Sequence, residues 1–244
     1  MLGAPVTVTR LVLEYDGRPF AGWAQQPGER SVEGELLAVL RTLLRRDIAL
    51  EVAGRTDRGV HAVGQVVSYV GPVASLSSLN ALLPTEIAVT ASEAAQPGFS
   101  ARYDAVSRSY RYRVWTRPSL SPFHAAGALW WPYRLDEPVL HAWAARLAGQ
   151  HDFRAFTPSQ THHRHCRRHV MRAGWRRDGD VLEFSIEADS FLRHMNRILV
   201  GTMLEAASGR RPAGQVADLL EGRPRSHAGR TVAPHGLCLT GVRY

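Results

Sequence analysis

Over residues 6–15 Leu11, Leu13 and Tyr15 fall on one face and Val8 and Val12 on the other, and the run stops at Asp16-Gly17. That alternation predicts a strand. The period changes at Ser31, after which Val32, Leu36, Val39, Leu40 and Leu43 recur at helical spacing. Ser31 is a suitable cap, and Glu33 and Glu35 complement the first turn, so a helix is predicted over residues 31–46. Strand patterns at 48–53 and 64–70, a short helical stretch near 75–82 before Pro84, and a strand at 87–93 complete a βαββαβ order.

The second half repeats that order with longer insertions. Strands are predicted at 107–115, near 168–176, at 181–188 and at 237–243, with helices at 136–148 and 191–207 and a shorter one at 213–221. The alternation is cleanest over 181–188, where Leu182, Phe184 and Ile186 face a core while Glu183, Ser185 and Glu187 face away; Asp178-Gly179 before them suits a hairpin turn. The stretch 222–235, rich in Arg, Gly and Pro, reads as an addition before the last strand. The expected fold class is α+β. Two tandem βαββαβ units of the RRM/ferredoxin-like kind, residues 1–105 and 106–244, would form a continuous antiparallel sheet with a central cleft.

Composition narrows the class. With 244 residues, 45% of them hydrophobic, the chain can bury a substantial core. Its apolar runs are too short or too interrupted to cross a bilayer, and the N-terminus lacks a signal-peptide pattern. A soluble cytoplasmic protein without membrane association is the expectation. Two cysteines, Cys166 and Cys238, demand no disulfide framework. Charge adds more. Residues 1–105 hold nine Arg against eleven acids, whereas residues 106–244 hold twenty-one against eleven. Such one-sided basicity is what a phosphate-neutralising protein needs, and it also fits a basic face with no partner. All 30 basic residues are Arg, which excludes Schiff-base chemistry through lysine.

One segment has the composition of a built loop. Ala53-Gly54-Arg55-Thr56-Asp57-Arg58-Gly59-Val60-His61-Ala62 lies between two predicted strands and sets two glycines around a carboxylate flanked by arginines, which favour its ionised form. On composition alone it fits equally a turn with a surface ion pair. Tyr110 shares a strand face with Arg108 and Tyr112, a position that suits a core tyrosine as well as a functional one. Arg197 on the apolar helix 191–207 either finds a partner or faces solvent.

The loop Gly54-Arg55-Thr56-Asp57-x-Gly59-Val60-His61-Ala62 resembles the signature of the tRNA pseudouridine synthase A family. Tyr15-Asp16-Gly17, Gly22-Trp23, Asn80-Ala81-Leu82-Leu83-Pro84, Phe99-Ser100-Ala101-Arg102, Arg108-Ser109-Tyr110-Arg111-Tyr112, Phe191-Leu192-Arg193-His194-Met195-Asn196-Arg197 and Gly236-Leu237 follow in the family's order. The resemblance spans essentially the whole chain. It implies the pseudouridine synthase fold, isomerisation of uridine in the anticodon stem-loop of tRNA with Asp57 as the catalytic residue, no cofactor, and a homodimer. It further implies that Tyr110 lies against the target base, that Arg197 pairs with Asp57, and that Arg55 belongs to the substrate site. Departures fall at Arg58, commonly alanine in the family, at Ala24, often glutamine, and at Cys238, frequently aromatic.

For the target uridine to reach Asp57 it must leave its stack. Arg55, Arg58 and His61 are candidates to guide the extruded backbone. A second set is the acid-free run His162-His163-Arg164-His165-Cys166-Arg167-Arg168-His169, in which Arg164 and Arg168 are the candidate RNA contacts. Four histidines and a cysteine there also suggest zinc, but the spacing matches no standard site and the interleaved arginines repel a cation, so no metal is assigned. A non-catalytic RNA-binding protein built from two RRM-like units is the competing reading.

Overall fold

A computed structural model describes residues 7–160 and 165–244. The chain divides into two compact units: one runs to Arg108 and takes back Leu239–Tyr244, and the other is Ser109–Cys238.

The first unit holds strands β1 (Val8–Tyr15), β2 (Glu51–Val52), β3 (His61–Val70) and β4 (Ile87–Ala95) with helices α1 (Val32–Leu44) and α2 (Leu76–Leu82). β1 is antiparallel to β3 on one side, Leu11 opposite Val67, and to β4 on the other, Leu11 opposite Ser92. Leu11 and Leu13 are fully buried, as are Leu36 and Leu40 of α1 and Leu79 of α2. The Ser31 hydroxyl accepts the Gly34 N–H at 3.2 Å, as its capping position predicts. Asn80 ties α2 to β4 by donating to the Val89 carbonyl at 2.9 Å and accepting its N–H at 2.8 Å, which satisfies both backbone groups of that residue.

The second unit contains β5 (Ser107–Trp115, from Ser109 onward), β6 (Leu129–Trp130), α3 (Glu137–Arg146), β7 (Gly149–Asp152), β8 (Arg167–Asp178), β9 (Val181–Ala188), α4 (Met195–Ala207) and α5 (Val216–Leu220). The last strand, β10 (Leu237–Arg243), begins in this unit and from Leu239 belongs to the first, where it neighbours β3. β8 and β9 form the expected hairpin: Asp178 pairs with Val181 across a two-residue turn whose Gly179 has φ 55°.

In several places the structure departs from the sequence pattern. The helix foreseen over 191–207 begins only at Met195, because His194 adopts a left-handed conformation (φ 60°, ψ 2°) that interrupts it. The stretch 213–221 splits into a 3₁₀ turn, Ala213–Gln215, and α5. Glu187 does not face solvent. It is only 4% exposed, and its carboxylate meets the Arg172 guanidinium at 2.7 Å, the pairing that makes burial of a charge tolerable. β6 and β7 are too short to impose a readable period.

Candidate active site

Asp57 sits on the loop between β2 and β3, and the first segment after β1 holds that loop in place through its backbone. Gly22 and Asp57 form an isolated antiparallel bridge, and the Trp23 N–H donates to the Thr56 carbonyl at 3.0 Å. The approach requires glycine at two points. A Cβ on Gly17 would lie 2.0 Å from the Val60 carbonyl oxygen, and one on Gly22, whose φ is 118°, would lie 2.9 Å from the Thr56 oxygen. Within the loop Gly59 has φ 76° and the Val60 N–H returns to the Asp57 carbonyl at 3.1 Å.

Below the loop lies a buried polar chain. The hydroxyls of Tyr15 and Thr56 are 2.8 Å apart, and the Gln65 amide donates to the Tyr15 oxygen at 3.2 Å and to the Gly54 carbonyl at 2.7 Å. Tyr15, Thr56 and Gln65 are all buried, so the bonds that satisfy them also fix the loop's height above the sheet. Asp57 itself is partly exposed, a carboxylate on a rigid mount.

His61 follows on β3. Its Nδ1 is 3.2 Å from an Asp16 oxygen and 3.3 Å from the Gly17 nitrogen. Arg18 grips the same Asp16, and chiefly that hydrogen bonding holds the carboxyl below its ordinary range, with the His61 charge adding to it. His61 thus serves the glycine-bearing turn as well as the loop. Arg55 and Arg58 are exposed, and the Arg58 guanidinium donates to Glu29 at 2.8 Å.

The other predicted residues lie in the second unit. Tyr110 on β5 is 7% exposed, its ring meeting that of Phe191 edge-on with centroids 4.9 Å apart. Arg197 lies in the first turn of α4, half-buried, and its Nε donates to the Val232 carbonyl at 2.9 Å while the Val232 N–H returns to the Arg197 carbonyl at 3.3 Å. The stretch read as a mere addition is therefore a strap along α4. A Cβ on Gly201 would come within 2.0 Å of the Arg230 carbonyl oxygen, and Gly229 donates to the Thr202 hydroxyl at 2.9 Å. Glu205 secures the strap, accepting the Arg230 N–H at 3.0 Å and the Arg211 Nε–H at 2.7 Å. Burial pushes the Tyr112 phenol well above its ordinary range against the pull of Arg197 and Arg230, and its hydroxyl donates to the Ala233 carbonyl at 2.7 Å.

Of the basic run, residues 161–164, with His162, His163 and Arg164, lie outside the described residues. Arg168 turns back on its own chain, donating to the His165 and Arg167 carbonyls at 3.0 and 2.6 Å, and partial burial draws its pKa down. Arg167 and His169 are exposed. Among the described residues, no helix is long and apolar enough to cross a membrane.

Sequence reasoning did not single out Gln65, Phe191 or Glu29 as parts of the site. The first two carried signals: a glutamine amid the apolar run of β3, and an aromatic that opens the segment bearing Arg197. Glu29, distant from Arg58 along the chain, carried none.

The family model described as tRNA pseudouridine synthase matches residues 143–244. Across nearly the whole chain, tRNA pseudouridine synthase A of Frankia casuarinae is 42% identical over 244 residues, covering 96% of this chain and 88% of that protein. The enzymes of that name from Geobacillus kaustophilus and Bacillus subtilis are each 38% identical over 242 residues, covering 96% of this chain and 93% and 98% of theirs. With relatives this similar over almost its full length, the chain belongs to the tRNA pseudouridine synthase A family of isomerases.

Proposed function

We propose that the chain converts uridine to pseudouridine in the anticodon stem-loop of tRNA, with Asp57 as the essential carboxylate. The observation that carries this reading is the mounting of Asp57: a loop tied through its backbone at Gly17 and Gly22 and through the Tyr15–Thr56–Gln65 chain, ending in a carboxylate that remains partly exposed. A surface ion-pair turn has no need of that construction.

The reaction breaks the N1–C1′ bond, turns the base while it is still bound, and joins C5 to C1′. A carboxylate can assist by attacking C1′, by adding to C6, or by removing a sugar proton to give a glycal-like species; each route regenerates the free aspartate. Substrate and product have the same oxidation state, so the chemistry calls for no redox cofactor. Tyr110, with Phe191 beside it, offers an aromatic surface for the base and is the candidate for the later deprotonation at C5. Arg197 is assigned, on family resemblance, to keep the carboxylate ionised, and its bond to Val232 restrains it for that role. The target nucleotide is flipped out, with Arg55, Arg58, His61, Arg164 and Arg168 as candidate backbone contacts. A cytoplasmic homodimer holding the tRNA completes the proposal by resemblance.

The test is tritium release from a tRNA transcript labelled at uridine C5. Release by the wild type, with a loss on the order of 10³-fold or more in Asp57→Asn, is expected for removal of an essential group. Tight tRNA binding without release would favour the binding-protein reading.

A further inference from the structure

The turn carrying Glu29 is fastened to the Asp57 loop. Ala21 N–H donates to the Arg30 carbonyl at 2.8 Å, Glu29 N–H to the Gln26 carbonyl at 3.2 Å, and Trp23 N–H to the Thr56 carbonyl at 3.0 Å, with Gly28 at φ 73° completing the bend. Glu29 therefore reaches Arg58 from a preset backbone, with little chain entropy left to lose.

The neighbouring arginine shows what a structural ion pair looks like in this turn. Arg30 donates to Glu35 at 2.6 Å and to Glu86 at 3.2 Å and lies 4.7 Å over the Phe20 ring. Arg58 differs. Its Nη2 alone touches Glu29, at 2.8 Å, and its other donors have no protein partner among the described residues. The two side chains are 63% and 43% exposed. A guanidinium that could take an oxyanion through two donors is thus held through one, immediately next to Asp57. Glu29 also borders a groove of about 560 Å³ lined with Gln25, Gln26, Arg30, Ser31 and Glu35, so space adjoins its carboxylate on the side of the turn.

We propose that Glu29 is a specificity-determining residue, an internal competitor that an RNA phosphate must displace from Arg58. This rests on the reading that the chain binds tRNA. An exposed pair of this kind changes affinity up to about fivefold. That is enough to cancel the gain from a phosphate poorly placed at Arg58, and small enough for a well-placed phosphate to overcome.

The experiment is a double-mutant cycle on the full chain, with fluorescein-labelled tRNA transcript titrated against wild type, Glu29→Gln, Arg58→Ala and the combination at fixed salt. Glu29→Gln is expected to tighten binding about three- to fivefold when Arg58 is present and to leave the Kd unchanged when it is alanine. Equal tightening in both backgrounds would mean only that an acid had been removed from a polyanion's path, and would overturn the proposal. So would no tightening in either. Failure of the wild type to bind tRNA overturns the functional reading itself, and this proposal with it.

Discussion

The two units hold eleven acids each, but the first balances them with eleven arginines while the second has nineteen, so the entire net charge of +8 resides in residues 109–238. The proposed catalytic carboxylate stands in the neutral unit. There the means of positioning are close backbone contacts at glycines and a buried polar chain. The basic unit positions Arg197 differently, with a strap hydrogen-bonded along a helix. Precision and attraction make opposed demands: a dense positive field favours any polyanion in any orientation, whereas chemistry on one glycosidic bond needs one geometry. Keeping the excess charge off the unit that mounts Asp57 lets each be met without compromising the other.

The largest effects should come from the glycines that make both forms of positioning possible. Gly17→Ala puts a methyl 2.0 Å from the Val60 oxygen, and Gly201→Ala makes an equal approach to the Arg230 oxygen. Since backbone is struck in each case, both should lower stability by about 3 kcal/mol in denaturant titrations. Gly17→Ala should also abolish tritium release at temperatures where it remains folded. Near-wild-type activity in that variant would show that the backbone contact does not set the geometry of Asp57.

The charge division is tested by a smaller effect. Glutamine at Arg167, Arg193 and Arg223, all in the basic unit, should weaken tRNA binding and reduce the slope of log Kd against log salt by about 0.9 for each phosphate left without its arginine. The same change at Arg45, Arg46 and Arg102 of the neutral unit should leave that slope nearly unaltered. Equal weakening by the two sets would break the comparison.

The smallest effect concerns Tyr244, whose hydroxyl donates to the Ala101 carbonyl at 2.8 Å and whose pKa burial pushes up to about 12 against the pull of Arg10. Because the folded phenol resists ionising more than the unfolded one, its contribution is complete below the ordinary tyrosine range near pH ~10 and is lost as pH rises toward the folded value. Tyr244→Phe should cost about 1 kcal/mol at neutral pH and flatten the decline of stability above pH ~10.

Much of this was legible in the sequence where a single period governs an element. The strands at 107–115, 181–188 and 237–243 have the boundaries their alternation implies. The Asp57 loop stood out because glycines and charged residues crowd between two strands. What escaped depends on partners distant in sequence. Glu187 looked outward by parity, but the strand position is covered and Arg172 supplies its counter-charge. The start of α4 was misplaced since Phe191 and Leu192 continue an apolar pattern that the backbone at His194 does not follow. No local pattern marks Gly201 as the point where a strap crosses a helix, or joins Glu29 to Arg58.

The return of residues 239–244 to the first unit has a consequence for the order in which the molecule can be completed. The ribosome makes β1, β3 and β4 early, but β3 gains its β10 neighbour only after all of residues 109–238 have been synthesised. Until then the edge of β3 that β10 will cover is paired only by the two-residue β2, and a largely open strand edge is the kind of surface on which nascent chains associate wrongly. The basic unit has most of its strands and helices before that moment. Vectorial synthesis thus leaves the proposed catalytic loop on the part of the protein that is finished last.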